Sequence, residues 1–150
     1  MDKLLNAMKI AFASEFAFYL KSHTFHWNVE GPDFNDFHQM FGDIYTEVYE
    51  SIDPFAENIR KLDAYVPGGF QQMSIIPGAE IDVEVPPAMD MVAILLADNE
   101  KITKLMGVVY KLAEASGEFG LANFLADRQD AHRKHGWMLR ATLKQPAGGM

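Results

Sequence analysis

No cysteine occurs among the 150 residues, which excludes disulfides and thiolate metal ligation and leaves the redox compartment unmarked. No stretch reaches the ~18 uninterrupted apolar residues of a membrane span. The N-terminus lacks a basic region, apolar block and cleavage site in sequence, so no signal peptide is expected and the default location is cytoplasmic. Positive charge is scarce: 13 Lys and Arg stand against 21 Asp and Glu, a formal net charge of −8. An acidic surface repels nucleic acid and attracts metal cations, although acidity alone serves many proteins only for solubility. What the chain has is apolar mass, 49% of its residues. At this length it is expected to form one domain, residues 1–150, with a substantial core.

Hydrophobic periodicity is helical throughout. Over residues 2–29, Leu5, Met8, Phe12, Phe16, Tyr19, His23 and His26 recur every three or four positions, and Gly31-Pro32 stops the helix. His23 and His26, three apart, could share a ligand, though His23 is expected to pack or hydrogen-bond. Asp33 is placed to cap a second helix over about 34–62. Its apolar row is Phe34, Phe37, Phe41, Ile44, Val48, Ile52, Phe55, Ile59 and Leu62. A second row one position along holds His38, Gly42, Tyr45, Tyr49, Asp53 and Ala56, with Glu57 beside it. A helix with two non-solvent faces packs on two things, its own bundle and a partner chain. Pro54 lies inside this helix, lacks a backbone donor and is expected to kink it.

Residues 63–88 break the pattern with Pro67-Gly68-Gly69, Pro77-Gly78 and Pro86-Pro87. Phe70 to Ile76 fits a short helix, and Ile81 to Val85 an extended crossover. The third long helix covers about 88–115, with Val92, Leu95, Ile102, Met106, Val109 and Ala113 on one face and Gly117 as its stop. The fourth covers about 119–144 through Leu121, Phe124, Leu125, Ala131, Met138 and Leu139, and Pro146 and Gly148-Gly149 end it. His132 and His135, amid Arg133 and Lys134, read as a surface pair. Four long helices joined by two short connections and one long middle crossover describe an all-α, ferritin-like four-helix bundle.

Chemistry concentrates in His26, His38, Asp53 and Glu57, embedded in apolar helical pattern. Asp53 and Glu57 are i and i+4, so they share a helix face and can grip one cation together. Carboxylate oxygens with imidazole nitrogens suit iron, manganese or zinc. His38 and Asp53 lie on similar azimuths of one helix but 15 residues apart, roughly 22 Å along its axis. One ion cannot bridge them within a chain, so a shared ion requires a two-fold partner, which makes two equivalent sites. No glutamate is followed three residues later by histidine, which disfavours a di-iron centre inside the bundle.

At this point the residues resemble a known family. His26-Trp27-Asn28-Val29-x-Gly31-x-x-Phe34-x-x-x-His38, then Asp53-x-x-Ala56-Glu57, resembles the starvation-induced DNA-protection mini-ferritins (Dps). The segment Lys134-His135-x-Trp137-Met138-Leu139-Arg140 resembles that family's last helix. The resemblance implies a hollow homododecamer that oxidises iron(II) between two-fold-related chains, preferentially with hydrogen peroxide, and stores ferric mineral. The ligands it implies are His26, His38, Asp53 and Glu57. It places Trp27 beside the site, where an indole intercepts stray oxidant, with core packing as the alternative. It also sets Glu118 and Asp127 near the pores for iron entry, with Asn123 where an Asp is expected; a solvated face is the simpler reading.

The sequence departs from the family pattern at Gly42, where a carboxylate often supports a second metal, with Asp43 about 100° further round the helix. It departs again at Asn58, where Arg is usual, and at Pro54. These departures put the second metal and the turnover rate in question. Gly42 and Pro54 favour an alternative, a structural or DNA-associated cage with a weak or inactive metal site, while the four intact ligands count against it. A lysine-rich tail is missing, and Lys3 and Lys9 cannot supply the several phosphate contacts of non-specific binding, so no strong DNA binding is expected at physiological salt.

Overall fold

The computed structural model describes residues 2–79 and 84–144. Every regular element among them is a helix: α1 (Asp2–Asn28), α2 (Phe34–Lys61), α3 (Phe70–Ser74), α4 (Ala88–Ala115) and α5 (Phe119–Leu143). The four long helices fall within a residue or two of the spans set by the apolar periodicity. The crossover's Ile81 to Val83 and the closing Pro146 and Gly148-Gly149 lie outside the described residues.

α1 packs on α2, α4 on α5, and α1 joins the two pairs by packing on α4. α2 and α5 barely touch, which leaves a seam between them. The core runs along the bundle axis through Leu4, Met8, Phe18, Phe41, Ile44, Phe55, Leu95, Met106, Leu125 and Leu139. Phe55 meets Phe12 at 6.1 Å and Phe124 edge-on at 5.2 Å, tying α1, α2 and α5 together. Edge-to-face contacts of this kind add about 1 kcal/mol beyond the area they bury.

The two flanks of α1 divide differently from the expected stripe. Leu4, Met8, Ala11, Phe12, Glu15, Phe18, Ser22 and Phe25 are buried, whereas Leu5, Phe16, Tyr19, His23 and His26 are half-buried on the adjoining flank. The polar Glu15 and Ser22 on the inner flank mask it, and the aromatics of the outer flank mimic a core stripe.

Asp33 takes the N-cap position of α2 but makes no side-chain capping bond. α2 continues through Pro54 to Lys61. The donor that proline removes would have served the carbonyl of Glu50, and both residues are exposed, so water can take its place. The crossover returns along α1. At Gly78 (φ +92°) an added Cβ would come within 2.2 Å of Ser14 Oγ, a close approach that only glycine allows. Between α1 and α3 lies an apolar groove of about 530 Å³, lined by Phe12, Phe16, Leu20, Phe70 and Met73 among others.

Candidate metal centre

His26 lies in the last turn of α1, where helix carbonyls lose their intrahelical donors. Its carbonyl accepts a hydrogen bond from His38 Nδ1 at 2.7 Å, and the carbonyl of His38 accepts one from His26 Nδ1, also at 2.7 Å. The two rings stack at 3.8 Å, and Phe34 closes over the far face of His38 at 4.9 Å. Each imidazole is thereby oriented with Nδ1 donating, which leaves Nε2 outside this exchange of hydrogen bonds. Gly42 belongs to this arrangement. A Cβ there would lie 3.1 Å from both Cε1 and Nδ1 of His26, so the missing side chain makes room for the ring.

His23 packs and hydrogen-bonds. Its ring stacks on Tyr45 at 3.7 Å and meets Trp27 at a tilt with centroids 4.0 Å apart, and Nδ1 shares a hydrogen bond with Tyr19 Oη at 3.0 Å. Burial first, then the neighbouring His26, push its pKa below 6.5, which favours the neutral ring. Trp27 is 59% exposed, so in this chain it is no core residue.

Asp53 and Glu57 stand exposed on α2. Among the described residues neither makes a hydrogen bond or ion pair. Asn58, which follows Glu57, turns back to donate to the carbonyl of Pro54 at 2.9 Å. Within one chain, the described residues bring no three of His, Asp and Glu together as a metal site. His26 on α1 and His38 near the start of α2 form one group, and Asp53 and Glu57 stand further along α2. Glu118 is half-buried at the N-cap of α5, and Asn123 and Asp127 are exposed on its first turns.

The surface reading of His132 and His135 is wrong. Both are buried, at 0% and 6% relative exposure, in an ionic cluster at the centre of the bundle. The Arg128 guanidinium bonds Glu15 through Nε at 2.7 Å and Glu47 through both terminal nitrogens. His132 Nε2 bonds Glu15, and its Nδ1 faces Asn99 Oδ1 at 2.8 Å, while Asn99 Nδ2 donates to the His132 carbonyl. His135 Nε2 bonds Glu47 at 2.7 Å, and Ser51 donates to Glu15 at 2.9 Å. No fully buried side-chain nitrogen or oxygen among the described residues lacks a partner. The signal was present in the spacing. Leu121, Leu125, Arg128, His132, His135 and Leu139 form one inward stripe at intervals of four and three. The exposed Arg133 and Lys134 belong to the opposite face.

Burial alone would raise the pKa of both glutamates. His132 and Arg128 outweigh it for Glu15, and hydrogen bonds from His135 and Arg128 outweigh it for Glu47, holding each at about 2 against 4.5. A depressed folded pKa contributes stability that is complete above the unfolded value and lost as pH falls toward the folded one. Thermal melts followed by circular dichroism are therefore expected to be level from pH 7 to about 5 and to fall between 4.5 and 2. Glu15→Gln flattens that fall more than Glu47→Gln, because Glu47 is 38% exposed and its pairing is screened.

Four long helices with a middle crossover and polar side chains at the bundle centre define the ferritin-like class. The family described as "Ferritin-like domain" matches residues 5–147. An uncharacterised low temperature-induced protein of Nostoc sp. is 31% identical over 145 residues, spanning 94% of this chain and 80% of that one. The DNA protection during starvation protein of Brevibacillus brevis is 30% identical over 132 residues, 84% of this chain and 85% of its own length. The solved structure of Dps from Thermosynechococcus elongatus superposes with a TM-score of 0.93 at 25% identity, covering 98% and 94% of the two chains. That of the Dps protein from Vibrio cholerae, described as a member of a broad superfamily of ferritin-like diiron-carboxylate proteins, gives 0.90 at 26% identity, covering 95% and 90%. The chain belongs to the Dps family.

Proposed function

We propose that this chain is the subunit of a hollow cage that oxidises iron(II) between two-fold-related copies and stores the ferric product. The observation that carries this reading is the split donor set. Two imidazoles are fixed with Nε2 free, and two unpartnered carboxylates stand roughly 22 Å along the same helix. A two-fold partner brings its Asp53 and Glu57 to this chain's His26 and His38, and the reverse, closing two sites per pair. Iron(II) is the substrate. Two iron(II) ions supply the two electrons that one hydrogen peroxide takes up, with two protons, to leave two waters and two iron(III). Hard anionic oxygens favour the ferric product, and consuming peroxide together with iron(II) suppresses release of hydroxyl radical. Trp27, next to His23 and largely exposed, intercepts oxidant that escapes.

The assembly is a homododecamer in the cytoplasm, with Glu118 and Asp127 lining the route of iron entry. The apolar groove beside α3 and the exposed Phe70 (86%) and Ile75 (80%) support burial against further copies. A net charge of −8 argues against DNA as a partner. Gly42 lends no support to an inactive site, because the space it leaves is taken by the ligand His26.

Mixing chains tests the split. A His26→Ala, His38→Ala chain and an Asp53→Ala, Glu57→Ala chain are each expected to be inactive alone. Refolded together in equal amounts, half the pairs are mixed and each mixed pair holds one intact site of two, so roughly a quarter of the wild-type oxidation rate returns. No recovery in mixed, assembled cages would refute a site shared between chains.

A further inference from the structure

The proposed iron site leaves the cluster at the bundle centre unused. All four long helices build it: Glu15 from α1, Glu47 from α2, Asn99 from α4, and His132 and His135 from α5. Ferritin-like di-metal bundles place their ligands in the same way, with inward carboxylates from two helices and carboxylate and imidazole donors from the others. Two carboxylates and two imidazoles are donor types suited to divalent first-row metals, yet among the described residues no three of them stand together as a metal site. Here a guanidinium lies among them. Arg128 reaches Glu15 with Nε and Glu47 with Nη1 and Nη2, so one fixed cation spans the carboxylates of α1 and α2.

Charge supports this reading. Two ionised glutamates without a counter-ion would not be tolerated at this depth. Arg128 neutralises one of them. Hydrogen bonds from His132 Nε2 to Glu15 and from His135 Nε2 to Glu47 hold the carboxylates further. The sparse contact between α2 and α5, with Glu47 38% exposed at that seam, gives small cations access to the edge of the cluster. Occupancy by arginine, rather than lack of access, is what closes it.

We propose that Arg128 is the resident cation of a metal-type site inside the bundle, and that its presence excludes iron there and so confines oxidation to the contact between chains. The inference rests on the inter-chain reading only for where the iron goes instead.

Cobalt(II) is the probe, in chains whose inter-chain site is removed by His38→Ala and Asp53→Ala. Binding is read by equilibrium dialysis and by the visible ligand-field bands of cobalt. With Arg128 intact, no cobalt is expected to bind at micromolar concentration. Arg128→Ala is expected to gain one cobalt per chain, and adding Glu15→Gln to remove it. Arg128→Met, which keeps the length of the side chain, serves beside the alanine variant, and circular dichroism with and without cobalt is recorded for both. A variant that is unfolded alone and regains helix with cobalt supports the proposal, since the metal then replaces the arginine. It is overturned if either folded variant binds no more cobalt than its parent, or if both stay unfolded with cobalt. Cobalt bound while Arg128 is intact, and lost with Glu15→Gln, overturns it as well. Failure of the inter-chain reading would show separately, as equal cobalt binding with and without His38 and Asp53.

Discussion

A His38→Ala, Asp53→Ala double variant is expected to oxidise iron(II) no faster than iron in buffer. Each substitution strikes one half of the split site, and His38→Ala also removes the Nδ1 donor that holds the carbonyl of His26 and the ring that stacks on it. Losing a group that merely orients a metal ligand costs about 10–100-fold in metal affinity or activity. Removing one ligand from each side exceeds that, so a loss of at least about 100-fold is expected. The measurement adds iron(II) anaerobically, then peroxide, and follows ferric absorbance beside wild type, with assembly checked by size exclusion. Both residues are partly or wholly exposed in the chain, so its fold is expected to survive. Equal rates in variant and wild type, neither above buffer, would leave a structural cage as the better reading.

Glu15→Ala is expected to have the largest effect on stability. The carboxylate is fully buried and accepts hydrogen bonds from Arg128, His132 and Ser51. Its removal leaves a guanidinium short of one carboxylate and an imidazole nitrogen facing a void. Breaking a buried ion pair by removing one partner costs about 3–5 kcal/mol, and at this chain length that corresponds to a drop in Tm of about 10 °C. A buried leucine on the same stripe, such as Leu125→Ala, costs a similar amount through its cavity, about 2–5 kcal/mol. Acid separates the two. Glu15→Ala abolishes part of the fall in stability between pH 4.5 and 2, and Leu125→Ala leaves its shape unchanged. A Tm within 2 °C of wild type for Glu15→Ala would mean that the cluster contributes little.

Helix number and extent were legible because each long helix carries a continuous apolar repeat closed by glycine or proline. The expectation of a second chain rests on equally local quantities. It follows from the rise of a helix and the separation of His38 from Asp53, which no packing within one chain can change. Gly42 has a neighbour that a local reading leaves out. Read as a missing carboxylate it suggests a weakened site, and only the packed helices show the ring of His26 3.1 Å from where its Cβ would stand. The buried ionic cluster was missed for a related reason. Glu15 and Arg128 are 113 positions apart and Glu47 and His135 are 88 apart, so no local pattern links them. A charged residue on a helix scores as surface unless its partners are known.

By itself, then, the sequence determined an all-α bundle with a long crossover and the 15-residue separation of His38 from Asp53 on one helix. These follow from local quantities: periodicity, rise per residue and the backbone limits of glycine and proline. Tertiary structure alone decided which nitrogen of each histidine stays free and what Gly42 makes room for. It alone decided that Arg128, His132 and His135 point inward to meet Glu15 and Glu47. Those outcomes depend on which side chains meet across helices, and that is set by packing and pairing between residues far apart in the chain.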